Sequence, residues 1–239
     1  MAHVPAGDLK GLKGRYCVII PAFNAAKTIG PLLRQIKPHG LTSVVIDDGS
    51  QDQTAAMASA EGALVISHLR NEGKGMALRT GFQYAIRSAF DGIITMDGDG
   101  QHDPGEILSL IRTGEVQHAG LVVGNRLANG SLMPPSRRVT NALMSSIVSA
   151  IARQHIPDSQ CGFRFIRKEL LQAVPLRAQR FDLETELLLG AAALRWKIVS
   201  VPVRSIYPDS RTSHIKPFWD GLRFFGLILR YLVRPRPRT

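Results

Sequence analysis

The chain has two cysteines, Cys17 and Cys161, in 239 residues. That excludes a disulfide scaffold and a cysteine-rich metal centre, and it suits a reducing compartment in which both thiols serve as small core side chains. Long apolar runs are also missing: no window reaches the roughly 20 residues needed to span a membrane. The opening stretch, MAHVPAGDLKGLKGR, holds no apolar segment of the kind that directs secretion, so a cytosolic setting is expected. Acidic residues are outnumbered, 19 Asp and Glu against 30 Lys and Arg, and the formal net charge is +11. Such a surplus asks for an anionic partner: nucleic acid, phospholipid headgroups or a phosphorylated substrate. No helix-turn-helix, zinc or aromatic RNA-binding pattern accompanies it, so nucleic acid is not the expected partner. A P-loop is absent, since Gly73-Lys74-Gly75 lacks the required frame, and no G-x-G-x-x-G follows the first apolar run. There is no internal repeat and no low-complexity segment.

What is present is ample core material: 44% of residues are hydrophobic, enough for one large domain. Short β-branched runs alternate with helical spacing. Strands are expected at Tyr16–Ile20, Ser43–Asp47, Ala63–Ser67, Gly92–Met96, Leu121–Gly124 and Ile198–Val203. Helices are expected at Lys27–Ile36, from Thr54, and over Lys74–Ser88, Arg137–Ala152 and Leu183–Leu194. The stretch DSQCGFRFI reads as a loop entering a strand. This alternation predicts an α/β protein with one mostly parallel sheet flanked by helices on both faces. Ligands of such sheets bind beyond the carboxyl ends of the strands. Asn24, Asp47, Asp48, Asp97 and Asp99 would all lie at that edge.

The run ITMDGDGQHDP carries the strongest chemical signal. Neighbouring carboxylates repel, and a divalent ion such as Mg²⁺ or Mn²⁺ relieves this with oxygen ligands, waters and substrate phosphates. Asp97 and Asp99 face the same way if the strand runs on, and Gln101 continues the series with an amide oxygen. Asp103-Pro104 is a helix cap. An EF-hand fails because His102 and Leu108 stand at its sixth and twelfth positions. An aspartate-dependent phosphatase is a weaker rival, since Gln101 stands where Thr or Val is usual.

Other residues keep two readings. The glycines around Lys74 either present a helix N-terminus to an anion or only permit a turn. Arg126 follows a strand end on the acidic edge, which favours a phosphate role. Arg137 and Arg138 either begin a solvated helix or meet an acceptor phosphate. Arg164 either orients phosphate or pairs with an acid such as Asp158. Cys161 has no zinc-ligand spacing. If Glu184 and Glu186 lie on a helix, at most one points at the site. Of the seven histidines, His102 and His214 are the site candidates, and a structural role is the favoured reading for both.

These motifs, IIPAFNAAKTI, VVIDDGSQDQT, NEGKGMALRTGFQYA, MDGDGQHDP, VGNR and DSQCGFR, occur in an order that resembles family 2 glycosyltransferases of the GT-A fold. The likeness spans about residues 15–215 and is nearest to polyprenyl-phosphate (dolichyl-phosphate) sugar synthases such as dolichol-phosphate mannosyltransferase. It implies a nucleotide pocket lined by Pro21, Ala22 and Phe23, with Asp47 or Asp48 on the base or ribose and Lys74 near the nucleotide. It implies a metal held by Asp97, Asp99 and Gln101, and phosphate-binding roles for Arg126, Arg137, Arg138 and Arg164. Asp99, Arg126 and Arg137 would be the catalytic set. Ala25 departs from the family's usual Glu, so one nucleotide contact is lost or supplied elsewhere. Gly98 replaces a frequent Ala.

The implied reaction is metal-dependent, inverting transfer from a nucleotide-diphosphate sugar to a polyprenyl phosphate. A phosphate monoester, with a second pKa of about 6, is already a nucleophilic dianion, so no general base is assigned. A glycan hydroxyl acceptor would need one. The segment from Phe218, FWDGLRFFGLILRYLVRPRPRT, mixes aromatics with arginine. It reads as an amphipathic basic helix lying on an anionic membrane surface, or as a terminal helix packed on the core. The expected organisation is a tail (1–14), a catalytic domain (15–215) and a membrane-surface tail (216–239), peripheral on the cytoplasmic face. A non-catalytic membrane-binding module is the non-enzyme alternative.

Overall fold

The computed structural model describes residues 14–128, 133–176 and 182–206. His214, the amphipathic basic segment and nearly all of the N-terminal tail lie outside them. The described residues form one seven-stranded sheet in the order β3-β2-β1-β4-β6-β5-β7.

β1 (Tyr16–Ala22) is buried along its whole length in the interior of the sheet. It pairs in parallel with β2 (Thr42–Asp47) on one side and β4 (Gly92–Thr95) on the other. The strand was expected to stop before Pro21, yet it runs through it. The Ile19 carbonyl accepts from Met96 and the Ala22 carbonyl accepts from Asp48, so Pro21, two residues from Ile19, faces the β4 side. β4 pairs only as far as Ile19↔Thr95, and the missing N–H falls where no ladder partner remains.

α1 (Ala26–Ile36) buries Ile29, Leu32, Leu33 and Ile36 and leads to β2. α2 (Thr54–Ala60) leads to β3 (Leu64–Ser67), which extends the sheet beyond β2. α3 (Lys74–Arg87) then crosses back to β4 on the far side of β1. Right-handed crossovers put α3 on the opposite face from α1 and α2. The strand order therefore reverses between β1 and β4, which opens a crevice at their carboxyl ends.

The second half is less regular, because α4 (Ile107–Val116) leads to β5 (Leu121–Asn125) at a distance from β4. β6 (Arg164–Arg167) inserts between them, antiparallel to both, and β7 (Ile198–Pro202) closes the edge parallel to β5. α5 (Pro135–Ala152), the short α6 (Lys168–Ala173) and α7 (Asp182–Ala193) complete the described residues. The single antiparallel intruder fits the mostly parallel sheet expected. No described helix is long and apolar enough to cross a membrane.

Close helix–sheet approach depends on missing side chains. A Cβ on Gly81 of α3 would lie 2.3 Å from Ile19 Cγ2 on β1. Gly81→Ala gains helix propensity worth about 1 kcal/mol, but so close a clash puts the overpacking cost at about 2–3 kcal/mol, a net loss of about 1–2 kcal/mol. The variant should melt roughly 2–8 °C lower, as differential scanning calorimetry would show. An unchanged Tm would mean that α3 does not rest on β1 at this distance.

Candidate active site

The crevice edge is built first by Asp48. Its buried carboxylate accepts the backbone N–H groups of Glu72 (3.0 Å) and Gly73 (2.7 Å) and meets His68 Nδ1 at 2.8 Å. His68 Nε2 in turn meets Thr80 Oγ1 at 2.9 Å on α3. Asp48 thus ties the end of β2 to the loop that starts α3. Asp47 accepts the Ser50 N–H at 3.2 Å on Oδ1. Gly49 lies between close backbones at φ 70°, where a Cβ would fall 2.4 Å from the Arg70 carbonyl carbon. Pro21 and Ala22 are buried, whereas Phe23 stays 46% exposed and offers an open ring at the crevice mouth. Ala25 has no acid to offer; its N–H donates to Thr54 Oγ1 at 2.7 Å.

That clamp places Lys74, the first residue of α3, over the acidic motif. Lys74 Nζ lies 2.7 Å from Asp97 Oδ1 and 3.1 Å from Glu184 Oε2 on α7. Burial alone would disfavour the charged carboxylate of Asp97. Lys74, and then His102, outweigh it and hold the carboxyl well below the usual range. Burial likewise opposes the Lys74 charge, and Asp97 with Glu184 more than restores it, so its pKa is raised.

β4 ends at Thr95, so strand alternation does not set the directions of Asp97 and Asp99. They lie in a turn: the Gln101 N–H donates to Asp99 Oδ1 at 2.9 Å, and the Thr28 hydroxyl donates to the Gly98 carbonyl at 2.6 Å. Asp103 caps the short helical turn Pro104–Glu106 through the Gly105 N–H, as expected.

The arginines separate. Arg126 donates to buried Asp158 from Nε (2.8 Å) and Nη2 (3.0 Å), with the Arg126 backbone N–H on the same carboxylate. Arg164 is 1% exposed, and its guanidinium donates to the carbonyls of Cys161, Ser159 and Glu184. Arg164 is therefore not placed to touch an acceptor phosphate and instead fixes the backbone around the site. Arg137 and Arg138 lie in the first turn of α5, with Arg138 exposed.

Two further side chains join the three proposed ligands: Glu184 from α7, and His102 from within the acidic run. Glu184 is the helical glutamate that points in, while Glu186 is buried. His102, a site candidate for which a structural role is the favoured sequence reading, is 4% exposed with Nε2 3.8 Å from Asp97 Oδ2. Its ring lies 5.2 Å from that of Phe163, and its Nδ1 has no hydrogen-bond partner among the described residues. Histidine directly after Asp-x-Asp-x-Gln was the available signal. Both cysteines are buried, and burial pushes the thiol of each up to about 12, so neither is a nucleophile at neutral pH.

A reversing parallel sheet whose switch point gathers carboxylates and a lysine defines a ligand-binding α/β protein. A family model described as glycosyl transferase family 2 matches residues 17–174, and the chain belongs to that family. It is 30% identical over 235 residues to a UDP-N-acetylglucosamine–dolichyl-phosphate N-acetylglucosaminyltransferase of Methanococcus voltae, covering 89% of this chain and 94% of the relative. An undecaprenyl-phosphate mannosyltransferase of Micrococcus luteus is 27% identical over 202 residues, 79% of this chain and 82% of its own. Among solved structures, glucosyl-3-phosphoglycerate synthase of Mycobacterium tuberculosis, crystallised with Mn²⁺, UDP and phosphoglyceric acid, superposes with a TM-score of 0.73. That likeness covers 98% of this chain and 86% of the other at 21% identity, and it shows the shared GT-A-type fold.

Among the described residues, no group of three or more His, Cys, Asp or Glu side chains is gathered to hold an ion. The residues nonetheless fit a hard divalent cation of the Mg²⁺ class. Asp97, Asp99 and Gln101 offer only oxygen donors, such ions draw the remaining ligands from water and phosphate, and Asp97 already attracts one cation, the Lys74 ammonium. Space beside Asp97 is kept by Gly162, where a Cβ would lie 2.8 Å from Asp97 Oδ2 and 3.0 Å from Lys74 Nζ. The Thr95 hydroxyl holds that glycine through its carbonyl at 2.7 Å. Gly162→Ala should therefore displace two flexible side-chain ends, leaving Tm within roughly 4 °C while sugar transfer falls about tenfold to a hundredfold. Transfer kinetics beside a thermal melt would check this; full activity would mean that the site does not need that space.

Proposed function

We propose that this glycosyltransferase moves a sugar from a nucleotide diphosphate to a polyprenyl phosphate, with inversion and with a divalent ion, at the cytoplasmic membrane surface. The observation that carries the acceptor reading is the state of Glu184. It is the carboxylate brought to the acidic motif from elsewhere in the fold. It is held by Lys74 at 3.1 Å, with Arg164 Nη2 at 3.9 Å. A hydroxyl acceptor needs a base to take its proton, and a carboxylate committed to two cations serves poorly. A phosphate monoester arrives as a dianion and needs charge screening and alignment instead.

In this reading Asp47 and the exposed Phe23 receive the nucleoside, and Asp48 holds their loop. Asp97, Asp99 and Gln101 hold the metal, which supplies positive charge to the departing diphosphate. Arg137 and Arg138 meet the acceptor phosphate, while Arg126 and Arg164 keep the surrounding backbone in place. The named activities of the Methanococcus and Micrococcus relatives, both on polyprenyl-type phosphates, support this acceptor class, as does the net charge of +11. The basic aromatic segment from Phe218 is assigned to the membrane surface.

The test is direct transfer. Purified protein with Mn²⁺ or Mg²⁺, polyprenyl phosphate and labelled UDP- and GDP-sugars should carry label from one donor into the organic phase. Asp99→Ala should abolish it. Label appearing only on a water-soluble hydroxyl acceptor, such as phosphoglyceric acid, would overturn the lipid assignment. Release of free phosphate without sugar transfer would overturn the transferase chemistry proposed for this site.

A further inference from the structure

Lys74 stands between two carboxylates, and the two contacts differ. Nζ meets Asp97 Oδ1 at 2.7 Å and Glu184 Oε2 at 3.1 Å. The other Asp97 oxygen faces Gly162 and His102 Nε2. Resting on the reading of Asp97 as a metal ligand, we infer that Lys74 is an exchangeable internal cation: it occupies Asp97 in the metal-free protein and withdraws to Glu184 when the divalent ion binds.

Three features carry this. First, an ammonium and a dication held on one carboxylate stand within a few ångströms of each other whichever of its two oxygens each takes, and in a half-buried site they repel strongly. Binding of the ion therefore requires the contact between Lys74 and Asp97 to lengthen. Second, the alternative seat is already within reach and already oriented. Arg164 Nη1 donates to the Glu184 carbonyl at 2.8 Å, and Nη2 lies 3.9 Å from Glu184 Oε1, so a buried arginine fixes the glutamate from behind. Third, Gly162 leaves the space through which the ammonium would move, since a Cβ there would come 3.0 Å from Nζ. Glu184 is thus a positioning residue for Lys74, and the metal-free site avoids carrying bare neighbouring carboxylates.

The test is Mn²⁺ binding to the full chain without nucleotide, read from the electron paramagnetic resonance of free Mn²⁺, in a double-mutant cycle. Lys74→Met removes the competitor, and the dissociation constant should fall at least about fivefold. Glu184→Gln removes the withdrawn seat and should raise it at least about threefold. In the Lys74→Met background, Glu184→Gln should then change it by less than about twofold. This last comparison separates exchange from general attraction, because a through-space effect of the Glu184 charge would weaken Mn²⁺ equally in both backgrounds. Equal effects would overturn the exchange, as would Lys74→Met binding no tighter than the parent. If neither the parent nor Lys74→Met binds Mn²⁺, the metal reading itself falls with it. Should Lys74→Met fail to fold, Lys74→Gln takes its place in the same cycle, with the same expected signs.

Discussion

Carboxylates at the carboxyl end of a parallel sheet each require a donor, and the layout of this protein follows from where those donors come from. Asp48 takes backbone N–H groups from a loop more than twenty residues further on. Asp97 takes the ammonium of the residue that this same loop delivers, Lys74. Asp158, with its side chain fully buried, takes Arg126. Leaving any one unpaired in a half-buried setting would cost several kcal/mol by the usual order of such effects. The sheet edge therefore cannot be assembled from local segments; each acid is satisfied by a distant one, and the contact of Lys74 with Glu184 joins the first half of the chain to the second at the crevice.

How much of this was legible follows from the range of each interaction. The strands and helices flanking the site carry local apolar periodicity, and their existence and order can be read from sequence. The convergence of Asp47, Asp48, Asp97 and Asp99 follows from parallel topology alone. The directions of Asp97 and Asp99 do not, because β4 stops at Thr95 and a turn takes over. The partners of Arg164 are hidden from the sequence for a related reason. It lies between Phe163 and Phe165 in a strand buried on both faces, where alternation does not separate core from site, and three carbonyls satisfy its guanidinium.

His102 marks the other boundary of legibility. Nothing near it in sequence would bury it. An antiparallel bridge to Ser205 does so, and the Ile206 N–H donates to the neighbouring Gln101 carbonyl at 2.9 Å. A contact across about a hundred residues leaves no period in the local pattern. Glu184 is intermediate: helical spacing shows that only one of the two glutamates can point inward, but which one depends on how α7 rolls against α3.

The same contacts give the acidic motif its mechanical setting. Glu106, in the turn after Asp103, accepts the Arg204 N–H at 3.0 Å on each of its oxygens. Residues 204–206 therefore grip the loop that holds Gln101 and His102 at three points, just before the segment that leads to the basic aromatic stretch. Burial raises the pKa of Glu106, and the Arg204 N–H works against that rise without cancelling it. A turn of glycines and aspartates has little apolar surface of its own to hold it. Its order is supplied from outside, by Thr28 below, Lys74 above and residues 204–206 at the side. The position of Asp97 and Asp99 is consequently a property of the assembled domain rather than of the motif in which they are written.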